Sequence, residues 1–555
     1  MNSARSSFLP AIFGCLAVCL CAPLAARAQA TRADAEKDPV LKAMLTEMDR
    51  SMSQLQLPGF AKPFFIQYRI EQVDEFETKA EFGASEGSGH VRQRVARVTV
   101  RVGDYKTDSS GGPGGGSIQL AGLDDDPIAL RSALWEATDQ AYKNALAAYA
   151  QKQAALKQVQ TPPQADDFSH EKPTVSLAAR VALAVDEEAW TARVARLSGL
   201  YRSDPAVSAT QQDVEYAEGS FNARATTTWI VTSEGTMVRK SAAEYQEAFG
   251  AGTQAADGMH IDRSYASVGT STADLDSEAV FNKHAVDEIA SLAELRKAPL
   301  VEEEYHGPLL MSADAATDTL RSLLSSAVTA TRPQLGTEAR TNGPFASSYH
   351  ARVLPDFMNV VDDPGLKTFD GKGLIGAYDV DDEGVPAQAV KLVDAGRLDS
   401  YLMGRQPVRD FPQSNGHGRS SVTGPPHPSI GVLKISAENG LSAGELNQKL
   451  LAMAKDRGLA SVYFVETMGG PRTPRLLYRL SPDGKRDLVR GAVLDDIDER
   501  ALRSSIEAAG KDLFVTNYYG DVPTTVMAPA LLFDDATVKR ANAKNEKLPF
   551  YPPPE

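Results

Sequence analysis

Three groups of residues in this 555-residue chain have the types and spacing to do chemistry. His417 and His427 flank the Asn415-Gly-His-Gly loop and Pro425-Pro426, and with Asp362 or Asp363 they offer the imidazole and carboxylate donors of a metal site. Loop histidines at that spacing have no built-in convergence, so the pattern proposes ligands without proposing a geometry. Asp379-Val-Asp-Asp-Glu-Gly384 has the acid spacing of a calcium loop's first half, with glycine in the sixth place. Val390 stands where a bidentate glutamate is required, which excludes an EF-hand and leaves a solvated hairpin turn as the expectation. Gly83-Ala-Ser-Glu-Gly87 spells a nucleophile elbow with Ser85 as acyl-transfer nucleophile. An elbow needs a buried strand before it and a helix directly after it, whereas more glycine and a polar strand follow here. His284, His306 and His350 are isolated and are expected to be structural or solvent-facing.

The element that organises the chain runs from His306 to Pro333. Leu309, Leu310 and Met311 form a short apolar strand; Ser312 is the expected N-cap of a helix with Asp314 in its first turn. Ala316, Leu320, Leu323, Leu324, Ala327 and Val328 repeat at helical spacing and give that helix one buried face. Before it, Asp38 to Met52 reads as a helix, and Pro63–Ile70 and Val91–Val102 read as strands. Val98, Val100 and Val102 alternate with Thr99 and Arg101, predicting one buried and one wet face. Asp126-Pro127 starts a helix that can run to about Val159, where Pro162-Pro163 stops it. Thr161 to Lys172 reads as a hinge-like linker, and Trp190, Val194, Leu197 and Tyr201 share a helical face. Thr232-Ser-Glu-Gly-Thr236 closes a hairpin. The glycine-rich run from Gly111 to Gly116 is a loop and not a phosphate cradle, because no Gly-Lys-Ser/Thr follows. Past His306 short strands dominate, with helices at Ser442–Arg457 and Asp498–Ala509.

These patterns predict an α+β fold: an N-terminal mixed region over residues 31–305, in parts 31–160 and 173–305, then a mostly antiparallel β domain over 306–555. Residues 1–30 read as a signal peptide, with Arg5 as the charged end, Phe8 to Ala22 as the apolar core, and cleavage after Ala28 or Ala30. A periplasmic or secreted protein follows, with no membrane span once processed. Cys15, Cys19 and Cys21 all lie in that leader, so the mature chain holds no disulfide. A formal charge of -15 argues against nucleic acid as a partner.

Downstream of the organising helix come Val353–Pro364, Tyr378–Pro386, Leu392–Leu398 with Tyr401-Leu402, Ser414–Arg419 and Leu488–Ala492. In that order and spacing they resemble the C-terminal domain of the TldD/PmbA family, whose active members look like zinc metallopeptidases. The resemblance is good over the C-terminal half and looser before it, and it implies for Asp379–Gly384 a turn shaping the cavity, beside the solvated hairpin turn. In those members a strand beginning Gly-Pro leads into a helix carrying His-Glu-x-x-x-His. Counting from Gly307-Pro308, the three motif positions fall on Arg321, Ser322 and Ser326, and no histidine lies between His306 and His350. Arginine and serine cannot grip zinc or activate its water. The resemblance is therefore to the PmbA (TldE) branch, which lacks the motif. It implies a subunit not catalytic alone, without a metal of its own, paired with a zinc-bearing TldD-like homologue or with itself, and acting on unfolded peptides. Two other readings remain: a metallopeptidase with noncanonical ligands such as His417 and His427, and a stand-alone peptide-binding envelope protein. Arg321 is expected to be structural, since its guanidinium keeps its charge, and Ser322 and Ser326 to project from one helical face.

Overall fold

The computed structural model describes residues 30–111 and 116–542. The leader with its three cysteines, most of the glycine-rich run and the Phe550–Glu555 tail lie outside the described residues. The architecture is α+β, with two large sheets that each carry their own helices.

In strand Pro63–Glu81, Ile66, Tyr68 and Ile70 alternate with Gln67, Arg69 and Glu71. The apolar set packs on helices Pro39–Gln54 and Pro127–Leu156, together with Val98, Val100 and Val102 of strand Ala84–Val102. Asp38 and Asp126 start these helices, each accepting two backbone N–H bonds. The opposite face, expected to be wet at Arg101, is covered: Arg69, Arg97 and Arg101 are all at most 9% exposed. The second domain sits on it.

Strands Pro63–Glu81 and Ala84–Val102 pair along their whole length as one hairpin, turning at Phe82-Gly83 with positive φ at both residues. Ser85 therefore begins a strand in an exposed ladder and meets no helix, and its hydroxyl accepts the Gly87 N–H at 3.1 Å. That geometry removes the elbow reading. Strands Tyr216–Thr232 and Met237–Gln254 form the second hairpin, closed at Gly235 as expected. The sheet has seven strands among the described residues, and Val175–Leu177 pairs parallel to Met237–Arg239 at its edge. Helix Glu187–Ser198 buries Trp190, Val194 and Leu197, but it ends at Gly199, and Tyr201 falls in a separate short turn against Phe82. The 161–172 segment is no solvated hinge. Phe168 lies 4.7 Å from Phe65, and buried Asp167 pairs with Lys152 and Arg332, so packing fixes it.

The second sheet begins at strand Tyr305–Met311 and has eleven strands among the described residues. Most pairs are antiparallel, but Val432–Ala437 runs parallel to Thr524–Arg540, and Val462–Gly470 runs parallel to Tyr305–Met311. Strand Thr524–Arg540 is the hub, also pairing with Tyr305–Met311, Ile506–Tyr518 and Ala492–Leu494. The helix expected over 498–509 stops at Ser504. Ile506, Ala508 and Ala509 pair instead with Phe533, Leu532 and Leu531, so sheet partners override the helical propensity of the alanines.

Candidate functional site

Two places bear on function: the organising helix and a cleft between the domains. Strand Tyr305–Met311 delivers the chain to Ser312, whose Oγ accepts the Ala315 N–H at 3.0 Å and donates to the Glu466 carbonyl at 2.6 Å. Helix Ala313–Leu324 follows, with Ala315, Ala316, Leu320 and Leu324 buried in the main core of the domain. Asp314 in the first turn is pushed up to about 6, by burial and by the charge of Asp318.

Arg321 and Ser322 are exposed on this helix. The Arg321 guanidinium lies 4.0 Å over the Tyr518 ring, and the Tyr518 hydroxyl donates to Asp318 at 2.6 Å. Burial and the Asp318 charge push that hydroxyl far above its usual range, so it stays protonated as a donor. Ser326 is not on the helix. Ser325 is its C-cap, and Ser326 belongs to the following turn, where its carbonyl accepts the Thr329 hydroxyl at 3.2 Å. Ser322 and Ser326 thus share no helical face, because the helix ends between them. A zinc ion does not fit this donor set: a guanidinium stacked on an aromatic ring and hydroxyls on separate elements supply no ligand pair. Among the described residues no group of three or more His, Cys, Asp or Glu is placed to hold a metal.

His417 and His427 are brought onto one short ribbon but not to one point. His417 is fully buried, with Nε2 3.2 Å from Asp362 and Nδ1 3.0 Å from the Asn415 side chain. Asp362 also accepts the Gly431 N–H at 3.0 Å. His427 is exposed, its ring 3.5 Å from the Pro425 carbonyl. His284 stacks on Tyr265 at 4.2 Å, while His306 is exposed beside Glu304 and Thr537. His350 is exposed and lies 3.8 Å from the Tyr349 ring.

The expected solvated turn at 379–384 is the largest correction. Asp381, Asp382 and Glu383 are all at most 9% exposed, because the loop is inserted between the two domains. The Asp381 carboxylate accepts N–H bonds from Glu383, Val385 and Gly418 at 2.9–3.0 Å and so folds the loop around itself. Gly384 takes the positive φ of the turn, and a side chain at Gly418 would collide with Glu383. Asp382 then faces the first domain. It accepts from Lys240 at 2.5 Å, from the Ser420 N–H at 2.8 Å and from the Ser420 hydroxyl at 3.1 Å. Arg69 clasps the next loop, donating to the carbonyls of Ser421, Val422 and Gly424 at 2.9–3.1 Å, while Arg97 reaches that of Thr423 at 2.7 Å.

This docking leaves a cleft of about 450 Å³ walled by Glu71, Arg224, Lys240 and Glu244 of the first sheet and by Tyr378, Asp382, Arg419 and Ser420 of the second domain. Its charges are mostly paired: Arg69 with Glu71 at 3.3 Å, Lys240 with Asp382, Arg224 with Glu244 at 3.0 Å. Burial raises Glu71 and Glu244 above the usual carboxylate range, despite the arginine beside each. Burial also works on Asp382, but Lys240, Arg69 and Arg419 outweigh it and hold that carboxyl well below the usual range. None of Glu71, Arg224, Lys240 or Glu244 stood out in the sequence. The available signal was long charged residues on one face of a strand-like segment, Arg69 with Glu71 and Lys240 with Glu244.

Two stacked α+β domains with a charged cleft between them define the class of fold. Residues 304–540 match a family model described as the PmbA/TldA metallopeptidase C-terminal domain. Among solved structures, the chain is similar to TldE from Thermococcus kodakarensis, with a TM-score of 0.61 and 13% identity over 90% of this chain and 99% of that one. It is also similar to a candidate modulator of DNA gyrase from Thermotoga maritima, with a TM-score of 0.58 and 14% identity over 89% of this chain and 100% of that one. A third similar structure, from Bacteroides thetaiotaomicron and described in the same terms, gives a TM-score of 0.58 and 11% identity over 92% of this chain and 99% of that one. At these identities the likeness is one of fold. No curated protein matches the chain. Residues 304–540 thus match the C-terminal domain of the TldD/PmbA family, and over the rest of the chain the likeness is one of fold. Among the described residues no helix is long and apolar enough to cross a membrane, which says nothing of a β-barrel.

Proposed function

We propose that this chain is the non-catalytic subunit of a periplasmic or secreted peptidase complex, paired with a zinc-bearing homologue that cuts unfolded peptides. One observation carries the reading: the helix Ala313–Leu324 keeps its place in the core while its outer surface holds Arg321 against Tyr518 and not a metal-binding pair. The leader-like composition of residues 1–30 supports export. A tagged chain purified from the envelope of its own organism is expected to bring with it a homologue carrying His-Glu-x-x-x-His, and zinc in that homologue alone. Recovery only as a monomer or homodimer, with such a homologue present but unbound, rejects the proposal.

Writing the motif back tests the same point from the other side. The triple variant Arg321→His, Ser322→Glu, Ser326→His is expected to bind zinc weakly and to cleave a labelled peptide no faster than the unaltered chain. The helix ends before residue 326, so the second imidazole has no fixed relation to the first, and unsupported ligands typically lose about 10- to 100-fold in affinity or activity. Stoichiometric zinc with efficient cleavage would show a complete catalytic cavity and overturn the subunit reading.

A further inference from the structure

Arg419 is 8% exposed and lines the interdomain cleft, yet among the described residues it forms no ion pair. Its guanidinium lies 4.2 Å over the Tyr378 ring. Nη2 reaches only the Pro523 carbonyl, at 3.5 Å, and Nη1 has no hydrogen-bond partner. The cations beside it are differently placed: Lys240 has Asp382, Arg224 has Glu244, and Arg69 has Glu71 and three carbonyls. A buried guanidinium with unused donors is costly unless an anion meets it, and a planar carboxylate matches its fork. The surroundings select for a single negative charge. Asp382 and Glu244 lie close enough to feel the Arg419 charge, so a doubly charged phosphate in the same place would meet both as like charges. The cleft has room for a short stretch of extended chain beside Arg419, with hydroxyls at Thr226, Thr228 and Ser420 on its walls.

From this geometry we infer that the cleft is a carboxylate-binding subsite for peptides, with Arg419 receiving either a C-terminal carboxylate or an acidic side chain. The inference rests on the reading that the complex handles peptides, and it adds which chemical group this subunit holds. Tyr378 positions the guanidinium by stacking, and the paired charges around it keep the rest of the wall neutral.

The test uses the full chain, alone and co-purified with its partner, and a fluorescein-labelled heptapeptide of alanine and serine followed by fluorescence anisotropy. Three forms are compared: a free C-terminus, an amidated C-terminus, and an amidated form with one internal glutamate. At least one carboxylate-bearing form is expected to bind roughly 10- to 100-fold more tightly than the amidated form without glutamate, the range of a charge-assisted pair. Which form gains identifies the source of the carboxylate. Arg419→Gln is expected to erase the difference between the forms, and Arg419→Lys to restore only part of it. In parallel, butyrate, a monocarboxylate, is expected to raise the melting temperature of the unaltered chain but not of Arg419→Gln, whereas inorganic phosphate is not. Equal binding of all three peptides to the unaltered chain removes the carboxylate subsite and leaves peptide handling standing. Failure of every peptide with a retained, Arg419-dependent butyrate response removes the peptide reading and keeps the carboxylate site. A phosphate response equal to that of butyrate overturns the assigned ligand class. The peptide and butyrate comparisons on the unaltered chain decide the matter even where a variant fails to fold.

Discussion

Asp382→Ala is expected to cost about 3–5 kcal/mol of stability at neutral pH, the usual penalty for stranding one partner of a buried ion pair. The substitution leaves Lys240 facing an empty position and deprives the Ser420 N–H and hydroxyl of their acceptor. The Gln67 bond to the Asp382 carbonyl survives, so the loop keeps one tether to the first sheet. Urea denaturation checks this through a lowered midpoint, with limited proteolysis reporting freer loops around 379–384 and 420–424. The loss should also depend on pH in one direction. Because the folded chain holds Asp382 below the ordinary carboxylate range, its contribution is fully present above about pH 4–5 and fades as the solution becomes more acid. The gap between the unaltered chain and Asp382→Ala should therefore narrow on going from pH 7 to pH 3. Asp381 and Glu71 act in the opposite sense. Burial raises both, so their contribution is greatest when they are protonated and declines as pH rises past about 4. Comparing variant with unaltered chain at each pH separates the two trends. An unchanged midpoint at pH 7 would show that Lys240 and Asp382 are held together only incidentally.

Arg405→Ala is expected to be of similar size. Its guanidinium forks onto Glu234 at 2.7 and 2.9 Å, donates to the Ser169 carbonyl at 2.6 Å and lies 3.9 Å over the Phe168 ring. Its backbone N–H donates to Glu383 at 2.6 Å. One side chain, 2% exposed, thus ties the hairpin turn of the first sheet and the 161–172 segment to the second domain. Truncation leaves a void beside Phe65 and Phe168 and takes the fork from Glu234, for a loss of about 3–5 kcal/mol. Arg405→Lys keeps the charge but not the fork or the stacking, and is expected to recover less than half of the loss. Proteolysis between residues 161 and 172, slow in the unaltered chain, should become fast in Arg405→Ala. A variant as resistant as the unaltered chain would mean that Phe168 packing alone fixes the segment.

The sequence was most legible where structure is set by neighbours a few residues away. Asp126-Pro127, Ser312 with its apolar repeat, the helix from Ser442 and the Gly235 turn all carry their reason within one helical turn or one hairpin. The site was less legible because its residues are defined by contacts far apart in the chain. Nothing near Asp379–Gly384 reveals that Lys240 and Arg69 meet this loop, and Arg69 and Ser421 are 352 positions apart. An acidic turn and a charged strand face each look solvated when read alone, and they are buried only against each other. The end of the helix before Ser326 is a different kind of miss. The apolar spacing continues through Ala327 and Val328, which are buried, but they reach the core from the turn after the helix.

Strand Thr524–Arg540 also dictates an order of events during synthesis. Tyr305–Met311 and Val432–Ala437 flank it, and although Val462–Gly470 and Met358–Asp362 give each an earlier-made neighbour, the two halves of the sheet are joined only once residues 524–540 have been made. The first sheet has no such debt: its strands from 63 to 269 pair among themselves. A nascent chain can thus close the N-terminal sheet early, while the second sheet waits on the order of ten seconds or more for its hub, at typical elongation rates of ~5–20 residues per second. Until residues 382–424 have been made, Arg69, Arg97 and Lys240 have no loops to hold and stand in water. A chain interrupted before residue 524 would accordingly be a folded first domain trailing an aggregation-prone remainder, recognisable by protection confined to residues 30–300 in hydrogen exchange.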